Sequence, residues 1–356
     1  MRWLLLLAGA ALASWPLAGS PGTAVEPATY LHDAAFAPAT VRSDPAALAR
    51  VAADVLRWRA AHPEEAGRAL LGTVDPEPTL RWIVRTAAED PAKLQDSAWL
   101  ATQLRFVAWS PDVGGAAKRN ITLPPDQIRR TSYLAWRMDG TPARDAAHPH
   151  ALYAVPGDEA GLTPEEAAKR TDLDRLKFTR RQVLDGVFEP GGAAAGRAQA
   201  LGWLSRAQVH EALMQGTVVL RFPDGSERTL NVYRNNGRTW NPAKAKTPDD
   251  QDRLWYFREV EGLRGYGTED KVRIEPQVTV AGDVPNLGLG ALVAMRWTVS
   301  GTDHVQLAIL ADNGGAFAPN LFQLDWLVGT YGDRAEFNRD AAAIPDRVRA
   351  GFLVLR

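Results

Sequence analysis

The chain has no cysteine in its 356 residues. That absence excludes a disulfide framework, thiolate metal sites, a cysteine nucleophile and a lipid-bearing cysteine anchor. Neither sign of charge is in excess: 41 Lys and Arg stand against 42 Asp and Glu, a formal net charge of −1. With no basic surplus to neutralise a phosphate backbone, nucleic acid is not an expected partner. Beyond the N-terminus no apolar run approaches the ~18 residues that a membrane-spanning helix needs. There is no internal repeat, no Gly-rich phosphate loop and no G-x-S-x-G nucleophile elbow. Only His148-Pro149-His150 brings two of the six histidines together. It lacks a third ligand nearby and reads as an exposed loop, so no metal or cofactor is expected.

What is present begins with an export signal. Arg2 supplies the positive start, residues 3–13 a short apolar stretch, and Ala11-Leu12-Ala13 a small-x-small cleavage pattern, with a cut near residues 18–20 as a second option. Residues 1–20 are therefore expected to be a signal peptide. The mature protein is expected to be exported to the periplasm, soluble, without a stable membrane span and not a lipoprotein.

At this length two domains are the prior. Residues 21–42 read as a loosely ordered, Pro- and Ala-rich lead-in. Ser43 or Asp44 can cap a helix with Pro45 in its first turn, and Leu48, Val51, Ala52, Val55 and Leu56 follow at helical spacing. Residues 78–88 and 91–107 read as further helices. After about residue 120 short alternating runs take over. Residues 218–222 and 229–233 around Pro223-Asp224-Gly225 predict a hairpin. Segments 254–260, 273–280, 292–299, 305–310 and 351–355 predict strands, and 164–170, 179–186 and 205–214 short helices. The chain is thus mainly β with N-terminal α-helices.

Three aspartates stand out in the last quarter. Asp283 ends an apolar alternation, Asp312 opens Asp312-Asn313-Gly314-Gly315 after a strand-like run, and Asp325 sits in Leu324-Asp325-Trp326-Leu327. Carboxylates at strand ends beside glycines suit a polar pocket. Upstream stand Met214-Gln215-Gly216, Pro223-Asp224-Gly225, Tyr233-Arg234-Asn235-Asn236-Gly237, Tyr256-Phe257-Arg258-Glu259 and Thr179-Arg180-Arg181-Gln182. In their order along the chain the segments resemble the membrane-bound lytic murein transglycosylase A family with its C-terminal three-aspartate domain, over roughly residues 130–356.

The resemblance implies a six-stranded double-psi β-barrel domain interrupted by a second, smaller β-rich domain. Residues 21–133 plus 254–356 would form the helical segment and barrel, and 134–253 the insertion, with a substrate groove between them. It implies a peptidoglycan lytic transglycosylase that cleaves the MurNAc-GlcNAc β-1,4 bond with formation of 1,6-anhydroMurNAc. Glycan strands would be the partner, and other wall proteins are possible ones. Asp325 would be the catalytic acid and then base. Asp312 and Asp283 would be supporting carboxylates, each either tuning Asp325 or holding loops, with the structural role favoured for Asp283. Thr131, Tyr133, Gln215, Gly314, Gly315 and Trp326 would contact substrate, and Trp136, Trp240 and Trp326 are candidates for stacking on sugars.

The chain also departs from the family. Gly315-Ala316-Phe317-Ala318-Pro319 lacks the lysine that usually follows the second aspartate, and Thr131-Ser132-Tyr133-Leu134 lacks the second tyrosine of the groove. The alternative reading is a catalytically degenerate peptidoglycan-binding protein.

Overall fold

Asp44 starts the first long helix, Pro45–Ala61, by accepting the Ala46 N–H, and Pro45 occupies the first turn, where no N–H is needed. Its apolar stripe of Leu48, Val51, Val55 and Trp58 is buried. The helix Glu77–Glu89 buries Leu80, Trp82 and Ile83 in the same core. The two helices close over Gly290, whose φ is +94° and where a Cβ would lie 2.7 Å from Leu80 Cδ1 and 3.0 Å from Val55 Cγ1. The structure, a computed structural model, describes residues 27–64, 74–239, 247–314, 317 and 319–356. The expected signal segment, Trp240 and Gly315 lie outside the described residues.

The strands are β1 (Leu31–Ala34), β2 (Thr40–Val41), β3 (Leu104–Trp109), β4 (Ile128–Asp139), β5 (His150–Tyr153), β6 (Ala200–Leu204), β7 (Thr217–Arg221), β8 (Glu227–Asn235), β9 (Trp255–Val260), β10 (Thr279–Ala281), β11 (Leu292–Val299), β12 (Thr302–Asp312), β13 (Gln323–Tyr331) and β14 (Arg347–Leu355). Six of them, β4, β14, β11, β12, β10 and β13, pair in a closed ring. β10 runs parallel to β12 and antiparallel to β13, and β13 runs parallel to β4. β12 is exposed at Thr302 and Asp303, buried without a break from His304 to Ala311, and emerges again at Asp312. A buried run that is apolar from Leu307 to Ala311 belongs to a strand covered on both faces.

β4 is the long member. Its first part pairs with β13 and β14, while Trp136–Asp139 pair with β7, which continues into β8 and β9. β5 and β6 form a separate two-stranded sheet. The fold is therefore mixed, with N-terminal helices on a large, mostly β region that contains a six-strand ring. Among the described residues no helix is long and apolar enough to cross a membrane.

Three expectations need correction. Residues 27–42 are not a loose lead-in: β1 pairs with β3, and β2 pairs with β12. The helix expected over 91–107 stops at Gln103, and Leu104–Trp109 form β3 because β1 and β14 supply edges on both sides. Tertiary pairing overrides local helical spacing there. The strand expected over 273–280 is reduced to Thr279–Ala281, since its earlier part turns back on the 263–266 segment through Val272 and Ile274.

Ser43 ties the lead-in to the ring. Its buried hydroxyl donates to Leu307 O at 2.8 Å and accepts from Leu307 N at 2.6 Å and Gln306 Nε2 at 3.0 Å. Ser43→Ala leaves buried donors without an acceptor. The expected cost is about 1–3 kcal/mol, read as a lower urea midpoint with an unchanged slope.

Candidate active site

The strand register assembles the site. Ala281 pairs with Asp312 on one side and Asp325 on the other, and Asp325 pairs with Thr131. Asp312, Ala281, Asp325 and Thr131 therefore form one row across four neighbouring strands. At the usual strand spacing the Cα atoms of the two aspartates are roughly 10 Å apart. Tyr133, two residues beyond Thr131, reaches across the row and donates its hydroxyl to Asp312 Oδ2 at 2.8 Å. Asp312 Oδ1 accepts the Asn313 N–H at 2.8 Å. Gln323, two residues before Asp325, donates to Thr131 Oγ1 at 2.9 Å, and that hydroxyl donates to Leu324 O at 3.2 Å. Asp325 Oδ1 and Asn313 Oδ1 are buried and have no hydrogen-bond partner among the described residues.

The two carboxyls differ electrostatically. Burial pushes Asp325 up to about 7; the negative charge of Asp312 adds to this, while the Thr131 hydroxyl and the guanidinium groups of Arg130 and Arg129 oppose it. Burial pushes Asp312 up to about 6, against the Tyr133 hydroxyl, the Asn313 N–H and the charge of Lys271. Burial and the Asp312 carboxylate hold the Tyr133 phenol well above its ordinary value, so it remains a donor. The pair thus has apparent values of about 6 and about 7, with the upper one centred on Asp325. Near neutral pH one carboxyl keeps a proton while its neighbour is ionised, which is the arrangement that general acid catalysis needs.

The other candidates are placed differently. Asp283 is 1% exposed, and its carboxylate accepts Asn286 N, Asn286 Nδ2 and Asn320 N at 3.3, 2.8 and 2.9 Å. It caps the helix Val284–Leu287 and holds the segment that leads into β13. Trp326 faces the reverse side from Asp325, as alternation requires. It is buried, donates Nε1 to Gln277 O at 2.9 Å and lies under the Arg130 guanidinium. Trp136 is also buried and donates to Glu211 at 3.0 Å. Gln215 ends the helix Arg206–Gln215 before the left-handed Gly216, and its amide has no partner among the described residues. Gly314 directly follows Asn313, and a Cβ on it would only touch the Phe317 ring. His148 pairs with Asp145, and His150 Nδ1 lies 2.9 Å from Leu184 O. No group of three His, Asp or Glu suited to a metal occurs among the described residues.

Four site residues escape sequence reasoning. Gln323 was available from its two-residue spacing to Asp325. Asn313 stands within the quoted segment but carries no signal of its own. Gly265 and Lys271 give none either, since their loop reads as polar surface. In the fold a Cβ on Gly265 would lie 3.1 Å from Asp312 Cβ and 2.6 Å from Ala311 O, so only glycine lets that backbone close on the aspartate. Lys271 is 4% exposed and donates Nζ to Asn231 Oδ1 at 2.5 Å and to Val232 O at 2.8 Å.

The raised carboxyls have a consequence for stability. Both titrate above the ordinary 3.8, so folding favours their protonated forms. That contribution is complete below about pH 4 and is lost as pH rises through about 6 and 7. Asp325→Asn removes the desolvated charge. It should therefore melt roughly 2–4 °C above wild type at pH 8, with the gap closing toward pH 4, in scanning calorimetry.

No protein-family profile matches the chain, and no curated protein matches it in sequence. Solved structures do match it in fold. The membrane-bound lytic murein transglycosylase from Agrobacterium tumefaciens superposes with a TM-score of 0.61 at 16% identity, over 88% of this chain and 93% of that one. E. coli MltA with bound chitohexaose gives a TM-score of 0.61 at 12% identity, over 92% and 93%. MltA from Neisseria gonorrhoeae gives 0.57 at 14% identity, over 88% and 87%. Closed strand ring, appended sheet and chain order together, this protein has the fold of the MltA lytic murein transglycosylases of known structure.

Proposed function

We propose that the chain is a periplasmic lytic murein transglycosylase, and that Asp325 serves first as acid and then as base. The observation that supports this most is the state of Asp325. Its carboxyl holds a proton up to about pH 7, and its buried Oδ1 has no partner among the described residues. A protonated Asp325 gives its proton to the glycosidic oxygen as the MurNAc-GlcNAc β-1,4 bond breaks. The carboxylate left behind takes the proton of the MurNAc C6 hydroxyl as that oxygen attacks C1. The product is a 1,6-anhydroMurNAc end, and Asp325 returns to its protonated form.

Hydrolysis would require a second carboxylate as nucleophile or as base for water. Asp312 already accepts Tyr133 and Asn313, and Asp283 is committed to Asn286 and Asn320. One acting carboxyl suits a reaction whose nucleophile belongs to the substrate. In this reading Asp312 tunes Asp325 by repulsion and holds Tyr133 over the row, and Asp283 is structural. The ring is the double-psi barrel of the family, and residues 134–253 are the inserted lobe. Thr131, Tyr133, Gln215 and Gly314 would contact the glycan in the groove between them.

Purified murein incubated with the mature protein should yield anhydro ends by mass spectrometry. Products that have gained one water would reject the lyase chemistry. Sedimentation with murein and no soluble release would favour the glycan-binding alternative. Asp325→Asn should lose at least about 1,000-fold in kcat while still binding glycan, in keeping with removal of a group that acts in the transition state.

The pH profile gives an independent check. The acid must be protonated, so kcat/KM should fall as pH rises above about 7. Asp312→Asn removes a repelling charge and lowers the Asp325 value, so its alkaline limb should move to lower pH. An unmoved limb would mean that Asp312 does not tune Asp325.

A further inference from the structure

Lys271 lies inside the fold beside the site, although its loop reads as polar surface. The segment 263–274 is folded back on itself, with Gly265 N bonded to Val272 O at 2.9 Å and Val272 N to Tyr266 O at 2.8 Å. It is pinned to the end of β12 by Tyr266 N on Ala311 O at 3.0 Å and by the close approach of Gly265 to Asp312. From this segment the Lys271 side chain runs to β8, where Asn231 Oδ1 and Val232 O accept its Nζ. Asn231 is itself fixed, donating Nδ2 to Thr217 Oγ1 at 2.7 Å. The ammonium is therefore held in one place on the Asp312 side of the row.

Among the described residues the charged groups facing Lys271 are Asp312 from β12, Glu269 from its own loop and Arg258 from β9. Glu269 is already matched by Arg234 at 2.7 Å and Arg258 at 3.6 Å, with the Tyr233 hydroxyl on its second oxygen at 2.6 Å. Among the described residues Asp312 has only hydroxyl and amide donors in contact. Residues 312–319 contain no lysine or arginine. The positive charge that the segment after Asp312 does not provide reaches the site from another part of the chain.

We propose that Lys271 is the positioning residue that keeps Asp312 ionised and thereby leaves the single proton of the carboxylate pair on Asp325; its place in catalysis rests on the reaction proposed above. Two buried carboxyls compete for one proton, and the one whose donors and cations favour its charge more releases it first; Arg130 and Arg129 act so on Asp325, and Lys271 does so on Asp312 together with Tyr133 and Asn313. Without the ammonium, Asp312 competes with Asp325 for the proton on nearly equal terms. A smaller share of Asp325 is then protonated at neutral pH, and less of the enzyme has a proton for the leaving oxygen. Burial lowers Lys271 to about 7, and the Asp312 charge opposes that fall. The cation and the protonated Asp325 therefore disappear over the same pH interval.

The test is a carboxyl-carbon NMR titration of the full chain, wild type beside Lys271→Met. The Asp312 midpoint should rise by about one pH unit in the variant. Lys271→Gln, which keeps a donor for Asn231 and Val232 without the charge, should give the same rise if the methionine variant does not fold. An unmoved Asp312 midpoint in a folded variant would overturn the assignment. On murein, Lys271→Met should lose roughly tenfold in kcat/KM, and much less when introduced into Asp312→Asn, because the two residues act as one unit. Equal losses in both backgrounds would mean a purely structural lysine. The titration reads the pair whether or not murein is cleaved. An inactive protein with a shifted midpoint rejects the reaction and keeps Lys271 as the residue that ionises Asp312, whereas an active one with an unmoved midpoint rejects Lys271 alone.

Discussion

Three residues of β10 fix the relation between the two aspartates. This short strand lies between β12 and β13, parallel to one and antiparallel to the other, so a single residue, Ala281, sets the register of both. The pairing with β12 slips by one residue between Val280 and Ala281, and without that slip Ala281 would stand opposite Ala311 and not Asp312, because side chains alternate between faces. Ala281 puts only a methyl between the two carboxyls in the row, and the Tyr133 hydroxyl reaches Asp312 from β4. The register itself is secured by Val280 and the fully buried run of β12, neither of which can turn outward without exposing apolar surface.

That geometry places two like groups in unlike surroundings. Asp312 receives a phenol, a backbone N–H and the field of an ammonium, while Asp325 receives one hydroxyl, the fields of Arg130 and Arg129 and the repulsion of its neighbour. The separation of their proton affinities follows from differences in solvation and nearby charge, since both are ordinary aspartates. Keeping such groups out of water opposes folding above their unfolded values. Sites that prepare a proton in this way are commonly sites of reduced stability.

Strands β7, β8 and β9 belong to the same sheet as the ring. β4 begins in the ring beside Asp325 and ends in the pairing with β7, so its backbone connects both sides directly. Glu211 adds a side-chain tie, accepting Trp136 from β4 and Arg334 from the segment after β13 at 3.0 and 2.9 Å. Lys271 makes a third connection, from the loop at Asp312 to β8. Substitutions in β7, β8 and the helix Arg206–Gln215 therefore have physical routes to the carboxylates without touching a ligand.

The sequence by itself determined the elements whose signals are local. The helix Pro45–Ala61 follows from its cap, its proline and its apolar stripe, and β11 and the hairpin of β7 and β8 follow from alternation and from Pro223-Asp224-Gly225. Asp325, Asp312, Thr131 and Tyr133 were legible as candidates because each stands at a strand position within an ordered set of motifs. Only the tertiary structure decided that these four meet, that Trp326 turns to the reverse face, and that Leu104–Trp109 is a strand. Pairing partners more than 150 residues away settle those outcomes, and no local window contains them. Lys271 and Gly265 mark the limit most clearly. A lone lysine in a polar loop looks solvated, and its burial exists only because that loop folds back against the end of β12.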